Sequence, residues 1–185
     1  MSRRKVNLII VCEDSQQEAF ARRYFTKRGF ERRKIRVLKC PSGSRSGEQF
    51  VRRQLVREVN MYRQKSSYGH GGIALAALID ADRMSVQERL QQIDSALEQE
   101  GLESIKQDER ITIFVPKRNI ETWLRFANGE DVNESKPYPK LNKPKSCKHE
   151  VDLYVNTICK DSIPDNAPPS LIHACHELPK SLLTK

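Results

Sequence analysis

Asn7-Leu8-Ile9-Ile10-Val11-Cys12-Glu13 is the stretch that decides the fold. Apolar, largely β-branched residues run from Leu8 without a polar break and stop at a carboxylate. A short run of this kind, bounded by polar residues, reads as a strand buried on both faces, the pattern of a parallel sheet. Two further runs repeat it. Ile73-Ala74-Leu75-Ala76-Ala77-Leu78-Ile79 ends at Asp80-Ala81-Asp82, and Ile111-Thr112-Ile113-Phe114-Val115 precedes Glu121. In open α/β sheets, sites form outside the carboxyl ends of the strands. Glu13, Asp80, Asp82 and Glu121 are therefore expected to gather at one point. Like charges gathered in this way repel each other and call for a cation.

The segments between the runs read as helices. Ser15-Gln16-Gln17-Glu18 has capping-box spacing and opens a helix whose stripe is Phe20, Ala21, Tyr24 and Phe25, with Gly29 as its stop. Ile35-Arg36-Val37-Leu38 alternates, which predicts a strand nearer an edge. The loop Pro41 to Gly47 lacks the Walker spacing and reads as a plain connection more than a phosphate cradle. A helix over about 48–64 follows, with Val51, Leu55, Val59 and Tyr62 on its apolar face. Ser85-Val86-Gln87-Glu88 is a second capping box, ahead of Leu90, Ile93 and Leu97. Asn119 is placed to cap a short helix carrying Glu121, Trp123, Leu124 and Phe126, with Trp123 packing that helix onto the sheet.

The order of strands and helices alternates, which predicts an α/β fold, a Rossmann-like, mainly parallel sheet of about four strands flanked by helices. This domain spans 1–129. Residues 130–185 form an extension packing on it: a proline- and lysine-rich loop over 130–146, then helical pieces at about 147–160 and 170–184.

The chain carries 33 Lys and Arg against 24 Asp and Glu, a net charge of +9. The excess is concentrated at the front, where residues 1–65 hold 18 Lys and Arg against 6 Asp and Glu. A basic half beside a carboxylate cluster suits an enzyme of polyanions: the cations hold phosphates and the acids hold metal. Arg45, Arg52, Arg53, Lys117 and Arg118 are the candidate nucleic-acid contacts. Lysines 136, 140, 143, 145 and 148 interleave with Tyr138, and either track a phosphate backbone or keep a loop solvated.

No run approaches the length of a membrane span. The basic Met1-Ser2-Arg3-Arg4-Lys5 precedes an apolar stretch that ends at Glu13, better read as a strand than a signal peptide. Five cysteines at irregular spacing argue against a disulfide framework and for a reducing cytoplasm. Cys147, His149, Cys159, His173, Cys175 and His176 match no standard zinc spacing, so core or surface roles are expected of them.

Asp80-Ala81-Asp82 is the sharpest chemical signal, because alternate residues at a strand end can reach one ion. Hard oxygen donors from this motif, Glu13 and Glu121 suit Mg²⁺ or Mn²⁺. Two such ions about 3.5–4 Å apart would clamp the attacking and leaving oxygens of a phosphodiester.

Val11-Cys12-Glu13-Asp14-Ser15-Gln16-Gln17-Glu18-Ala19-Phe20 resembles the first motif of TOPRIM domains, in which a hydrophobic strand ends in a glutamate ahead of a helix. Leu78-Ile79-Asp80-Ala81-Asp82 resembles their Asp-x-Asp motif. Arg118-Asn119-Ile120-Glu121-Thr122-Trp123-Leu124 looks like a segment of small stand-alone RloB-type proteins, grouped with the OLD-family nucleases. The resemblance covers roughly residues 5–127. It implies a Mg²⁺-dependent nuclease acting with a separate ATPase in defence against phage, on DNA more than RNA. Glu13 would be a metal ligand or general acid–base, Asp80 and Asp82 metal ligands, and Glu121 a further ligand. The alternative is an inert TOPRIM-like subunit that binds nucleic acid or assembles a complex. Two departures stand out. Many TOPRIM domains have glycine directly after the first glutamate, where this chain has Asp14. No residue stands out as the basic group that many nuclease members use; Lys117, Arg118 and Arg83 are nearest in sequence.

Overall fold

The computed structural model describes residues 6–43, 46–67, 72–140, 146–160, 163–177 and 182. Arg45 and the lysines at 143 and 145 lie outside the described residues.

Four strands, β1 (Leu8–Cys12), β2 (Ile35–Lys39), β3 (Ala74–Leu78) and β4 (Ile111–Phe114), form one all-parallel sheet in the order β2-β1-β3-β4. The fold is α/β and Rossmann-like, as the alternating runs predict. The alternating strand β2 is an edge of this sheet, whereas β1 and β3 are buried at every position.

Neighbouring residues on each strand face opposite layers. Leu8, Ile10, Ala74, Ala76, Leu78 and Phe114 face helices α1 (Ser15–Lys27) and α4 (Ile120–Ala127). Ile9, Val11, Leu75, Ala77, Ile79 and Ile111 face α2 (Gly47–Ser67) and α3 (Val86–Gln99). The first layer is aromatic. Phe20, Tyr24, Phe25, Phe114 and Trp123 meet with ring centroids 5.4–6.2 Å apart, mostly edge to face. Trp123 is buried there, its indole N–H donating to Ser170 Oγ at 2.8 Å.

The extension joins this layer. Helix α5 (Lys148–Leu153) continues into a π-helical turn, Tyr154–Ile158, and α6 (Pro169–His176) returns along it. Val151, Tyr154, Leu171 and Ala174 bury their side chains in the same core as α1 and α4. Helix α6 ends at His176; of the rest of the expected helix over 170–184, residues 178–181, 183 and 184 lie outside the described residues, and Leu182 is helical.

Three local expectations are corrected. Ser15 does not cap α1: Asp14 does, its Oδ1 accepting from the amides of Gln16 at 3.0 Å and Gln17 at 2.9 Å. A carboxylate one residue earlier has the same reach and carries charge to the helix dipole. Asn119 occupies the N-cap of α4 but makes no side-chain cap; its amide donates instead to Tyr138 O at 2.8 Å. Finally, Cys159 and Cys175 form a disulfide, with Cα atoms 5.2 Å apart. The return of α6 on the π-helical turn sets the two side by side, which their spacing in sequence could not reveal. The second capping box is present as expected, with Ser85 Oγ accepting from Glu88 N at 3.1 Å and the Ser85 amide donating to Glu88 at 2.6 Å.

Candidate active site

The strand order reverses direction between β1 and β3, and such a switch point opens a crevice at the carboxyl ends of the two strands. Glu13 follows β1 and Asp80 follows β3, so the chain's topology brings them to the two lips of that crevice. They touch: Glu13 Oε1 accepts from the backbone N–H of Asp80 at 2.6 Å. Gln17, fully buried one turn into α1, ties both together. Its Oε1 accepts from Glu13 N at 2.8 Å and its Nε2 donates to Asp80 Oδ1 at 2.8 Å.

Two further side chains complete the group. Asp14 caps α1 with one oxygen and meets the ammonium of Lys140 with the other, at 2.9 Å. The same ammonium lies 4.0 Å from Asp80 Oδ2. On the far side, the first residue of α2 presses on Glu13. A Cβ on Gly47 would lie 2.7 Å from Glu13 Oε2 and 3.0 Å from Glu13 Cβ, so only glycine allows this approach.

Burial sets the electrostatics. Asp80 is 2 % exposed, and desolvation holds its carboxyl well above the usual range, with the charge of Glu13 adding to the effect. Burial likewise pushes Glu13 up to about 7; the Asp80 amide opposes the shift, and Asp82 and Asp14 add to it. Lys140, drawn by Asp14, Asp80 and Glu13 against the desolvation of its own ammonium, is held above its ordinary value.

The four predicted carboxylates are thus not equivalent. Glu13 and Asp80 are joined. Asp82 lies within electrostatic reach of Glu13, yet its side chain is 61 % exposed and turned to Arg89, with Nη2 3.4 Å from Oδ2. Its backbone sits at φ 54°, the left-handed region, which swings the second acid of Asp-x-Asp away from a strand path. Glu121 is buried at 3 % in the first turn of α4. Among the described residues no three of His, Cys, Asp and Glu are grouped as a metal ion's ligands are.

The donor set nonetheless suits a hard cation. Glu13 and Asp80 offer carboxylate oxygens at one point, and an ammonium is already drawn to the oxygens of Asp80 and Asp14. The C-terminal cysteines and histidines differ in this respect, since Cys159 and Cys175 are bonded to each other.

The predicted basic contacts have other duties. Lys117 donates to Met84 O and to Arg83 O, tying the end of β4 to the turn after Asp82. Arg118, at φ 71°, donates to Ser135 O at 2.8 Å and Glu134 O at 3.4 Å. Arg52 pairs with Glu48 at 3.6 Å, while Arg53 is exposed on α2.

Three site residues escaped the sequence reading or stood in it unmarked. Gln17 was a spacer inside a capping box, although a glutamine on the sheet-facing side of α1 must find partners. Arg89 is 4 % exposed, bonding Glu48 Oε2 at 3.0 Å and Gln92 Oε1 at 2.8 Å beside Asp82. Its signal was present: Val86, Arg89, Ile93 and Leu97 lie on one helical stripe. Lys140 stood among five loop lysines with nothing to distinguish it.

Comparison with protein-family models, curated proteins and solved structures finds no match to this chain.

Proposed function

We propose that the chain is a metal-dependent phosphodiesterase acting on nucleic acid, a nuclease of TOPRIM type. One observation carries the reading: a buried carboxylate, Asp80, and a partly buried one, Glu13, meet at the switch-point crevice with their protonation poised above the ordinary acid range. Structural carboxylates are normally paired so as to stay ionised; carboxylates held against burial mark sites with chemical work to do. Backbone strain at Asp82 and Arg118, both at the carboxyl end of the sheet, adds to this.

Glu13, Asp80 and Asp82 would hold Mg²⁺ or Mn²⁺, with Glu121 as a further ligand from the family resemblance. A bound ion supplies Lewis-acid chemistry and offsets the charge of a phosphodiester there. If Glu13 stays outside the ion's ligand shell, its carboxyl, pushed up to about 7 in the metal-free protein, can accept a proton from an attacking water near neutral pH and return one to a leaving oxygen; as a ligand it would instead be held ionised. Gln17 fixes both acids, so their geometry is set before substrate arrives. The basic first third of the chain, including Arg45, Arg52 and Arg53, would track the backbone. DNA is the favoured substrate, and a separate ATPase partner and a role in phage defence follow from the resemblance alone; the cytoplasmic setting rests on the cysteine spacing, and the Cys159–Cys175 disulfide weakens it. No helix among the described residues is long and apolar enough to cross a membrane.

The second reading, an inert TOPRIM-like subunit, is favoured by the commitment of Lys117 and Arg118 to loop carbonyls. Plasmid and RNA cleavage with Mg²⁺, Mn²⁺ or EDTA separates the two. Cleavage lost in Asp80→Ala and Glu13→Gln supports the nuclease; cleavage that persists in both removes the site. Nucleic-acid binding without cleavage in any metal supports the subunit.

A further inference from the structure

We propose that Lys140 is a built-in counter-cation of the Glu13–Asp80 site, held at the oxygens of Asp14 and Asp80 until a divalent ion displaces it. The inference rests on the metal reading above and adds Asp14 and Lys140 to the site.

The ammonium is delivered by a braced segment. Lys140 follows Pro137-Tyr138-Pro139, a sequence stiffened by two fixed φ angles. Asn119, at the start of α4, donates to Tyr138 O at 2.8 Å, and the Tyr138 hydroxyl accepts from Asn133 N at 2.8 Å. The Arg125 guanidinium lies 5.1 Å over the Tyr138 ring. Arg118 grips the same segment through Ser135 O. Four contacts thus aim a short stretch of chain so that its next residue reaches the crevice. Asn119, which the sequence offered as a helix cap, serves this brace instead.

The position reached is one a cation would take. Asp14 divides its oxygens, Oδ1 to the helix amides and Oδ2 to Lys140 at 2.9 Å, and Asp80 Oδ2 is 4.0 Å from the same nitrogen. Once Glu13 and Asp80 are ionised, a single positive charge at these distances balances only part of the charge of Glu13, Asp14 and Asp80. A divalent ion carries twice the charge and closes to about 2.0–2.1 Å on oxygen, so it wins the contest once it has paid its dehydration. A path outward is open to the lysine: its side chain is 57 % exposed. Lys140 therefore keeps the acids together in the metal-free protein and lowers the apparent affinity for metal.

The test uses the full chain and Mn²⁺, followed by the paramagnetic signal of the free ion. Lys140→Met should bind Mn²⁺ at least about fivefold more tightly than wild type, the lower end of ordinary coupling between two ligands. Lys140→Arg should bind as wild type does, and Lys136→Met, on the same segment, should leave affinity unchanged. Acylation of the Lys140 amine, measured against the exposed Lys106, should rise when Mn²⁺ saturates the site. Equal or weaker Mn²⁺ binding by a folded Lys140→Met, or a Lys140 acylation rate indifferent to Mn²⁺, overturns the inference and leaves the metal reading standing. Failure of wild type and Lys140→Met alike to bind Mn²⁺ overturns both.

Discussion

Glu13→Gln should make the metal-free protein more stable, and only above the acid range. The amide keeps an oxygen for the Asp80 N–H, the 2.6 Å bond that fixes the residue, and removes the buried charge. Glu13 has its carboxyl raised from 4.5 to about 7 in the fold, with burial as the largest cause. A raised acid binds its proton more tightly folded than unfolded, so wild-type stability falls as pH climbs from about 4.5 to 7 and is level beyond. The full shift corresponds to about 3 kcal/mol. The two proteins should therefore melt together at pH 4.5, and the variant should lead by about 3 kcal/mol at pH 8. For a chain of this size that is roughly 6–12 °C in melting temperature. Urea titrations at the two pH values, without divalent ions, measure the gap directly. Adding Mn²⁺ at pH 8 should raise wild type and leave the variant nearly unmoved, since the stabilisation follows the ion's affinity for the folded state. A variant no more stable than wild type at pH 8, or a gap the same at both pH values, refutes the assignment of a desolvated carboxyl with a raised pKa at Glu13.

Other perturbations follow from the same contacts. Gln17→Leu strips hydrogen bonds from Glu13 N and Asp80 Oδ1 inside the core, and should cost about 2–4 kcal/mol by denaturant titration. Gly47→Ala places a methyl group against Glu13 and should cost about 1–3 kcal/mol while weakening Mn²⁺ binding, measured side by side. Arg89→Met leaves Glu48 without its buried partner at 3.0 Å and should lose about 1–3 kcal/mol; Arg89→Lys should restore only part, because one ammonium cannot replace the fork. Reducing the Cys159–Cys175 bond, which closes a separation of 16 residues, should lower stability by about 3 kcal/mol, and a Cys175→Ser variant should be insensitive to reductant.

Much of the fold was legible because the strands announce themselves. Leu8 to Cys12 and Ala74 to Leu78 are buried at every position, so neither face needs a polar residue and the runs are unbroken. The alternating Ile35–Lys39 declared an edge, and the stripes of α1, α2 and α3 marked their inward faces. Helix termini were harder. Asp14 displaced Ser15 as the cap of α1, since both are competent acceptors one residue apart and only the path of the chain chooses between them.

The site was legible in part. Acids directly after buried strands must emerge at one end of a parallel sheet, which placed Glu13 and Asp80 without any knowledge of strand order. Asp82 and Glu121 fared differently for local reasons: one sits in a left-handed turn beside Arg89, and the other is buried in the first turn of α4.

The sequence by itself determined the parallel α/β layering and the end of the sheet at which the acids emerge, because hydrophobic period and strand direction are properties of the chain read in order. Tertiary structure alone decided that β1 and β3 are neighbours and that Gln17 bridges their acids. It also decided that Gly47 yields space to Glu13 and that Lys140 reaches Asp14 across 126 residues. Those facts depend on distances between segments far apart in sequence, and burial, which sets the protonation of Glu13 and Asp80, exists only once the layers have closed over them.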